Sequence, residues 1–66
     1  VKLGDVVRVK DLKHLAPGWR GKVGNVSSIY REKEPFFYEV TIEGFELVFL
    51  GDELELVKGG DVDDKT

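Results

Sequence analysis

Sixty-six residues, with ten basic and thirteen acidic side chains and no cysteine, describe one small domain that must fold without disulfides or thiolate metal sites. A chain of this size buries only about 60% of the surface its unfolded form exposes, so it has material for one modest core. One histidine cannot build a zinc site alone, and the longest apolar run, Leu47 to Leu50, is far short of the ~20 residues of a membrane-spanning helix; the expectation is a soluble, cytoplasmic protein with no cofactor, no metal and no membrane contact.

The net charge of −3 argues against a nucleic-acid partner, but the charge is lopsided along the chain. Residues 1–34 carry eight basic and four acidic side chains, a net of +4, whereas residues 35–66 carry two and nine, a net of −7. A basic face on an acidic protein is therefore conceivable if the two halves separate in space, and is lost if neighbouring strands interleave them.

In chain order, Gly4-Asp5 reads as a turn into a first strand, Asp5 to Lys10, whose alternation puts Val7 and Val9 on the core face. Asp11 to Arg20 has irregular apolar spacing and contains Pro17-Gly18, which marks a long ordered first loop with at most one helical turn at 12–16. Gly18 and Gly21 suit a tight turn of positive φ into the second strand, Lys22 to Tyr30. Val23 and Val26 in that strand are three apart, out of phase for flat β-structure, and a bulge or bend near Gly24-Asn25 would return both to the core.

The charged run Arg31-Glu32-Lys33-Glu34 closed by Pro35 is a second loop. Phe37 to Glu43 is the third strand, with Tyr38, Val40 and Ile42 on one face. Glu43-Gly44 is a two-residue hairpin turn into a fourth strand, Phe45 to Leu50. Gly51-Asp52-Glu53 breaks the run before a short fifth strand, Leu54 to Val57. From residue 59 onward the chain is acidic and lacks core-forming side chains, so a flexible tail is expected over 59–66.

Five short strands with these connections predict an all-β, partly open small barrel spanning 1–58. Its expected core is Val7, Val9, Val23, Val26, Tyr38, Val40, Ile42, Leu47, Phe49, Leu54 and one of Leu56 or Val57. The order of elements resembles the SH3-like barrels. Within that class Gly4-Asp5-Val6-Val7-Arg8-Val9 and Gly18-Trp19-Arg20-Gly21-Lys22-Val23-Gly24-Asn25-Val26 resemble the KOW motif of ribosomal proteins and transcription elongation factors, which implies the barrel and, in that family, contact with RNA.

Gly4-Asp5 with Trp19-Arg20-Gly21 is also similar to the plasmid-borne trimethoprim-resistant dihydrofolate reductases. Their activity needs a Val-Gln-Ile-Tyr segment where this chain has Glu46-Leu47-Val48-Phe49, so the resemblance does not extend to catalysis. The Ala-Leu-Tyr-Asp-Tyr motif of signalling SH3 domains is absent as well. A looser similarity to small phage barrels and photosystem accessory subunits implies an adaptor that docks on a larger protein.

The candidate site is an aromatic and basic rim where the first and second loops are expected to meet: Trp19, Arg20, Tyr30, Arg31, Lys33 and Phe36. Trp, Tyr and Arg are the residue types that anchor protein interfaces, and aromatic faces beside Arg and Lys also stack bases and neutralise phosphates. A non-catalytic protein-binding module is the primary expectation and a KOW-type RNA or DNA contact the alternative. The opposing reading is that Trp19 and Phe36 only cap the open ends of the barrel. His14 is expected to be solvated, and Glu39, Glu43, Glu46, Asp52, Glu53 and Glu55 to point outward for solubility and edge protection. No residue pattern suggests an enzyme.

Overall fold

A computed structural model describes residues 1–59 of the chain. The segment 60–66, where most of the acidic tail was expected, lies outside the described residues. The described part is all-β: β1 (Val6–Val9), β2 (Val23–Arg31), β3 (Phe37–Ile42), β4 (Phe45–Leu50) and β5 (Leu54–Lys58), with a 3-10 turn, Gly51–Glu53, between the last two. All pairings are antiparallel and the strands form one sheet in the order β4-β3-β2-β1-β5. The sheet is not closed into a barrel, in keeping with the partly open form expected from the sequence.

β2 is the spine because it alone is long enough to pair with β1 at its start and with β3 along its length. Its first residues run in plain register: Val7 is opposite Gly24, and Asn25 is opposite Thr41. The register shifts come later, between Val26 and Ser28 and between Ile29 and Arg31, so the irregularity lies downstream of Gly24-Asn25. Alternation therefore sends Val23 outward, 45% exposed, while Gly24 and Val26 face in. Gly24 serves close approach instead: a Cβ there would collide with the Thr41 carbonyl and lie 2.6 Å from Ile42 Cγ1, which is a second reason for glycine inside a strand.

The hairpin matches the expected chemistry. Ile42 pairs with Phe45, and the two intervening residues, Glu43 (φ 52°) and Gly44 (φ 86°), both take positive φ, as a type I′ turn requires. At the other tight turn only Gly21 is left-handed (φ 77°).

The core is Val7, Val9, Val26, Tyr38, Val40, Ile42, Phe49 and Leu54, with Leu15, Trp19, Ile29, Phe36 and Leu47 packed partly against it. The last expected core position, Leu56 or Val57, is corrected along with Val23. Leu56 and Val57 are 56% and 45% exposed: β5 pairs only with β1, and an unclosed sheet lays nothing over its far end.

Candidate functional site

The six residues expected to form one rim fall at two separate places. Trp19 packs edge-on against Phe45, ring centroids 5.8 Å apart at 69°, beside the hairpin turn. Phe36 lies against Tyr38, centroids 6.1 Å apart, and its carbonyl accepts from the Gly51 N–H at 2.9 Å, beside Leu50. Phe45 and Leu50 are the two ends of β4, about 17 Å apart at the rise of an extended strand. Trp19 and Arg20 thus mark one end of the molecule, and Arg31, Lys33 and Phe36 the other.

At the first-loop end the polar groups are used in folding. Arg20 Nε donates to the Leu15 carbonyl (3.1 Å) and Nη2 to that of Lys13 (2.9 Å), with Asp11 at 3.8 Å from Nη1. A planar guanidinium can hold two carbonyls at once, and here it pins a loop that has no regular structure of its own. His14 is not merely solvated. Its Nε2 is 2.7 Å from Glu53 Oε2, and Glu53 Oε1 accepts from the Leu50 N–H at 2.9 Å. An ionised carboxylate can only accept, so Nε2 carries the proton. Glu53 is 8% exposed, a correction to its expected outward position; it clasps the first loop to the 3-10 turn.

At the second-loop end, the two register shifts leave Ser27 and Tyr30 of β2 without opposite residues on β3, and both anchor on Glu39. The Tyr30 hydroxyl donates to Glu39 Oε2 at 2.9 Å, and Ser27 Oγ reaches the Glu39 carbonyl and Oε1 at 3.2 and 3.3 Å. The bond to Glu39 raises the Tyr30 hydroxyl pKa above its ordinary value. Tyr30 stays 59% exposed, and Arg31 Nη2 donates to the Glu34 carbonyl at 3.2 Å.

Around Phe36 and Tyr38 the surface is hollowed. One hollow of about 270 Å³ is walled by Phe36, Tyr38, Pro35, Leu50 and Gly51, with Val1, Glu34 and Asp52 at its edge. A second, about 340 Å³, is bounded by Ile29, Phe36, Tyr38, Glu32 and Val1. They share Val1, Phe36 and Tyr38 and together make a groove with an aromatic floor. Gly51 contributes by having no side chain, since a Cβ there would press to 3.3 Å on the Tyr38 ring. Burial, then the charges of Glu34 and Glu32, raise the Tyr38 hydroxyl above the ordinary tyrosine pKa.

No family model, curated protein or solved structure matches this chain.

The ion pairs show how the two halves sit together. Arg8 pairs with Glu55 (3.3 Å), Lys22 with Glu43 (2.8 Å) and His14 with Glu53, each joining the N-terminal half to the acidic one. The basic half is thus interleaved with acidic strands. Among the described residues no group of three His, Cys, Asp or Glu side chains could hold a metal ion, and no helix is long and apolar enough to cross a membrane. The groove itself was only half legible: Phe36 was singled out, but Tyr38 read as core, and the carboxylates of the Glu32-Lys33-Glu34 run read as a solvated loop. Its alternating charge before a proline was the signal available.

Proposed function

We propose that this chain is a non-catalytic adaptor module with an SH3-like, KOW-like barrel architecture, and that it docks on another protein through the second-loop end, where Phe36 walls the groove and Arg31 and Lys33 adjoin it in sequence. The observation that carries this reading is the aromatic-floored groove beside Tyr38 and Phe36, open to solvent and bounded by charged side chains, the make-up of a site that buries an anchor side chain inside a polar rim. A non-catalytic role fits the hydroxyl chemistry: Thr41 Oγ1 donates to Ser27 Oγ and Ser27 Oγ to Glu39, while His14 is held by Glu53, so among the described residues no serine or threonine hydroxyl is paired with the histidine.

The alternative, RNA or DNA binding through the same residues, draws its support from the KOW-like pattern. Against it stand the pairing of Arg8 and Lys22 with carboxylates and the use of Arg20 to fasten its own loop, which withdraw these three cations from phosphates. The test is panning a phage-displayed random peptide library on the immobilised chain, followed by heteronuclear NMR mapping of the selected peptides and of mixed single-stranded and duplex oligonucleotides at low salt. Selected peptides are expected to shift the amides of Ile29, Phe36, Tyr38 and Gly51. No selected peptide, together with salt-sensitive oligonucleotide shifts around Arg31 and Lys33, would overturn the adaptor reading in favour of the nucleic-acid one.

A further inference from the structure

The groove has a charge of its own, and its occupant follows from it. Glu34 and Asp52 stand at the edge of one hollow and Glu32 at the edge of the other. Among the described residues none of these three carboxylates has a basic group within ion-pair distance. The nearest cations in sequence do not pair with them: Arg31 donates to the backbone carbonyl of Glu34 rather than to its carboxylate, and Lys33 makes no ion pair. Elsewhere Glu43, Glu53 and Glu55 each hold a basic partner, and Glu39 holds the Tyr30 and Ser27 hydroxyls.

A second, independent feature lies on the groove floor. Tyr38 is 6% exposed and walls both hollows, yet no hydrogen bond reaches its hydroxyl among the described residues. A nearly buried hydroxyl without a partner is costly, and such groups call for a ligand or a role. Here the hydroxyl borders open space under a rim of negative charge.

We propose that the groove binds an extended, basic segment of a partner protein, with an apolar side chain lying on Phe36 and Tyr38, an adjacent Lys or Arg among Glu32, Glu34 and Asp52, and a polar group of the segment bonded to the Tyr38 hydroxyl. This rests on the protein-docking reading above and gives it a partner chemistry. Two hollows in line accept two neighbouring side chains of an extended chain, which a compact ion would not fill. Nucleic acid is repelled by the same rim, and the absence of a three-ligand cluster among the described residues sets a divalent metal aside.

The test uses the full 66-residue chain and the library-selected peptides, each synthesised with its Lys and Arg and again with Gln in their place. Selected sequences are expected to carry Lys or Arg beside an apolar residue, and the Gln versions to bind about tenfold more weakly. On the variant carrying Glu32→Gln and Glu34→Gln that difference should shrink to about twofold, because the charge and its partner act as one interaction. Tyr38→Phe should fold at least as stably as the parent, having lost only an unpartnered hydroxyl, and bind about fivefold more weakly.

Groove-binding peptides that are neutral or acidic, or a Lys/Arg preference that survives Glu32→Gln with Glu34→Gln, would overturn the basic-segment proposal while leaving the docking reading intact. The same holds if spermidine alone reproduces the groove shifts at the peptides' affinity. Failure to select any peptide would overturn both.

Discussion

The two ends of this sheet carry similar residues and use them in opposite ways. At the first-loop end Trp19 leans on Phe45, Arg20 bonds two carbonyls of its own loop and Lys22 pairs with Glu43, while His14 of the same loop reaches Glu53 in the 3-10 turn that follows Leu50. At the second-loop end Phe36 and Tyr38 line open space, and among the described residues Glu32, Glu34 and Asp52 make no ion pair. The difference follows from loop length. A long loop without ladder hydrogen bonds must satisfy its backbone with side chains, so its polar residues become part of the fold. A short loop between paired strands has few orphan backbone groups, and its charges remain available to a partner.

The comparison can be broken hardest at the ladder both ends share. Gly24→Ala would drive a methyl group into Thr41 and Ile42; a loss of about 2–3 kcal/mol is expected, as for overpacked cores, read as a lower midpoint in urea unfolding. A near-neutral Gly24→Ala would mean that β3 is not held against Gly24. Next is the clasp of the first loop. Glu53→Ala strands the Leu50 N–H and His14 and should cost about 2 kcal/mol, whereas His14→Ala, which leaves Glu53 its backbone donor, should cost less than half as much. Equal costs would show that the imidazole, and not the turn, is what Glu53 stabilises.

Arg20 sharpens the contrast more gently. Arg20→Ala should cost about 1 kcal/mol and speed amide exchange over residues 12–16, and Arg20→Lys should be nearly as harmful because an ammonium cannot span the Leu15 and Lys13 carbonyls. Full rescue by lysine would return Arg20 to the role of a free surface charge. The smallest effect is in the alkaline titration. The hydroxyls of Tyr30 and Tyr38 are raised above 10.0, by the Glu39 bond in one and by burial in the other. The folded chain therefore holds those protons more tightly than the unfolded chain. Their contribution to stability should be constant below about pH 10 and fall as pH rises through the folded values. Ultraviolet titration should give a higher midpoint for the native chain than for the chain in urea, and coincident midpoints would contradict both environments.

Strand positions, the Glu43-Gly44 hairpin and the alternation of Tyr38, Val40 and Ile42 were all readable from residue type and period two, because they depend on neighbours in sequence. The inward strand faces were readable only where a second layer lies over them. Leu56 obeys the alternation, standing opposite buried Val7, and is exposed all the same, since closure of the sheet is a property of the whole chain. Val23 was misplaced for a related reason: a bulge signal near Gly24 cannot say which residue the strand beyond will crowd, and the register shifts fell three and six residues later, where Ser27 and Tyr30 find Glu39.

The candidate site was legible in part. Phe36 walls the groove and Tyr30 is tied to Glu39, and Trp19 and Arg20 are carried to the other end because β2 and β4 run the length of the molecule between the two loops. Sequence by itself determined the all-β class, the five strands, the tight turn and most of the core, since local propensity and alternation act over a few residues. Tertiary structure alone decided which charges are spent: that Glu53 turns inward to His14, that Arg8 and Lys22 meet Glu55 and Glu43, and that Glu32, Glu34 and Asp52 line the hollows beside Tyr38 without an ion pair. Coulombic and hydrogen-bond partners are chosen by distance in space, and strand pairing brings together residues that the sequence keeps tens of positions apart.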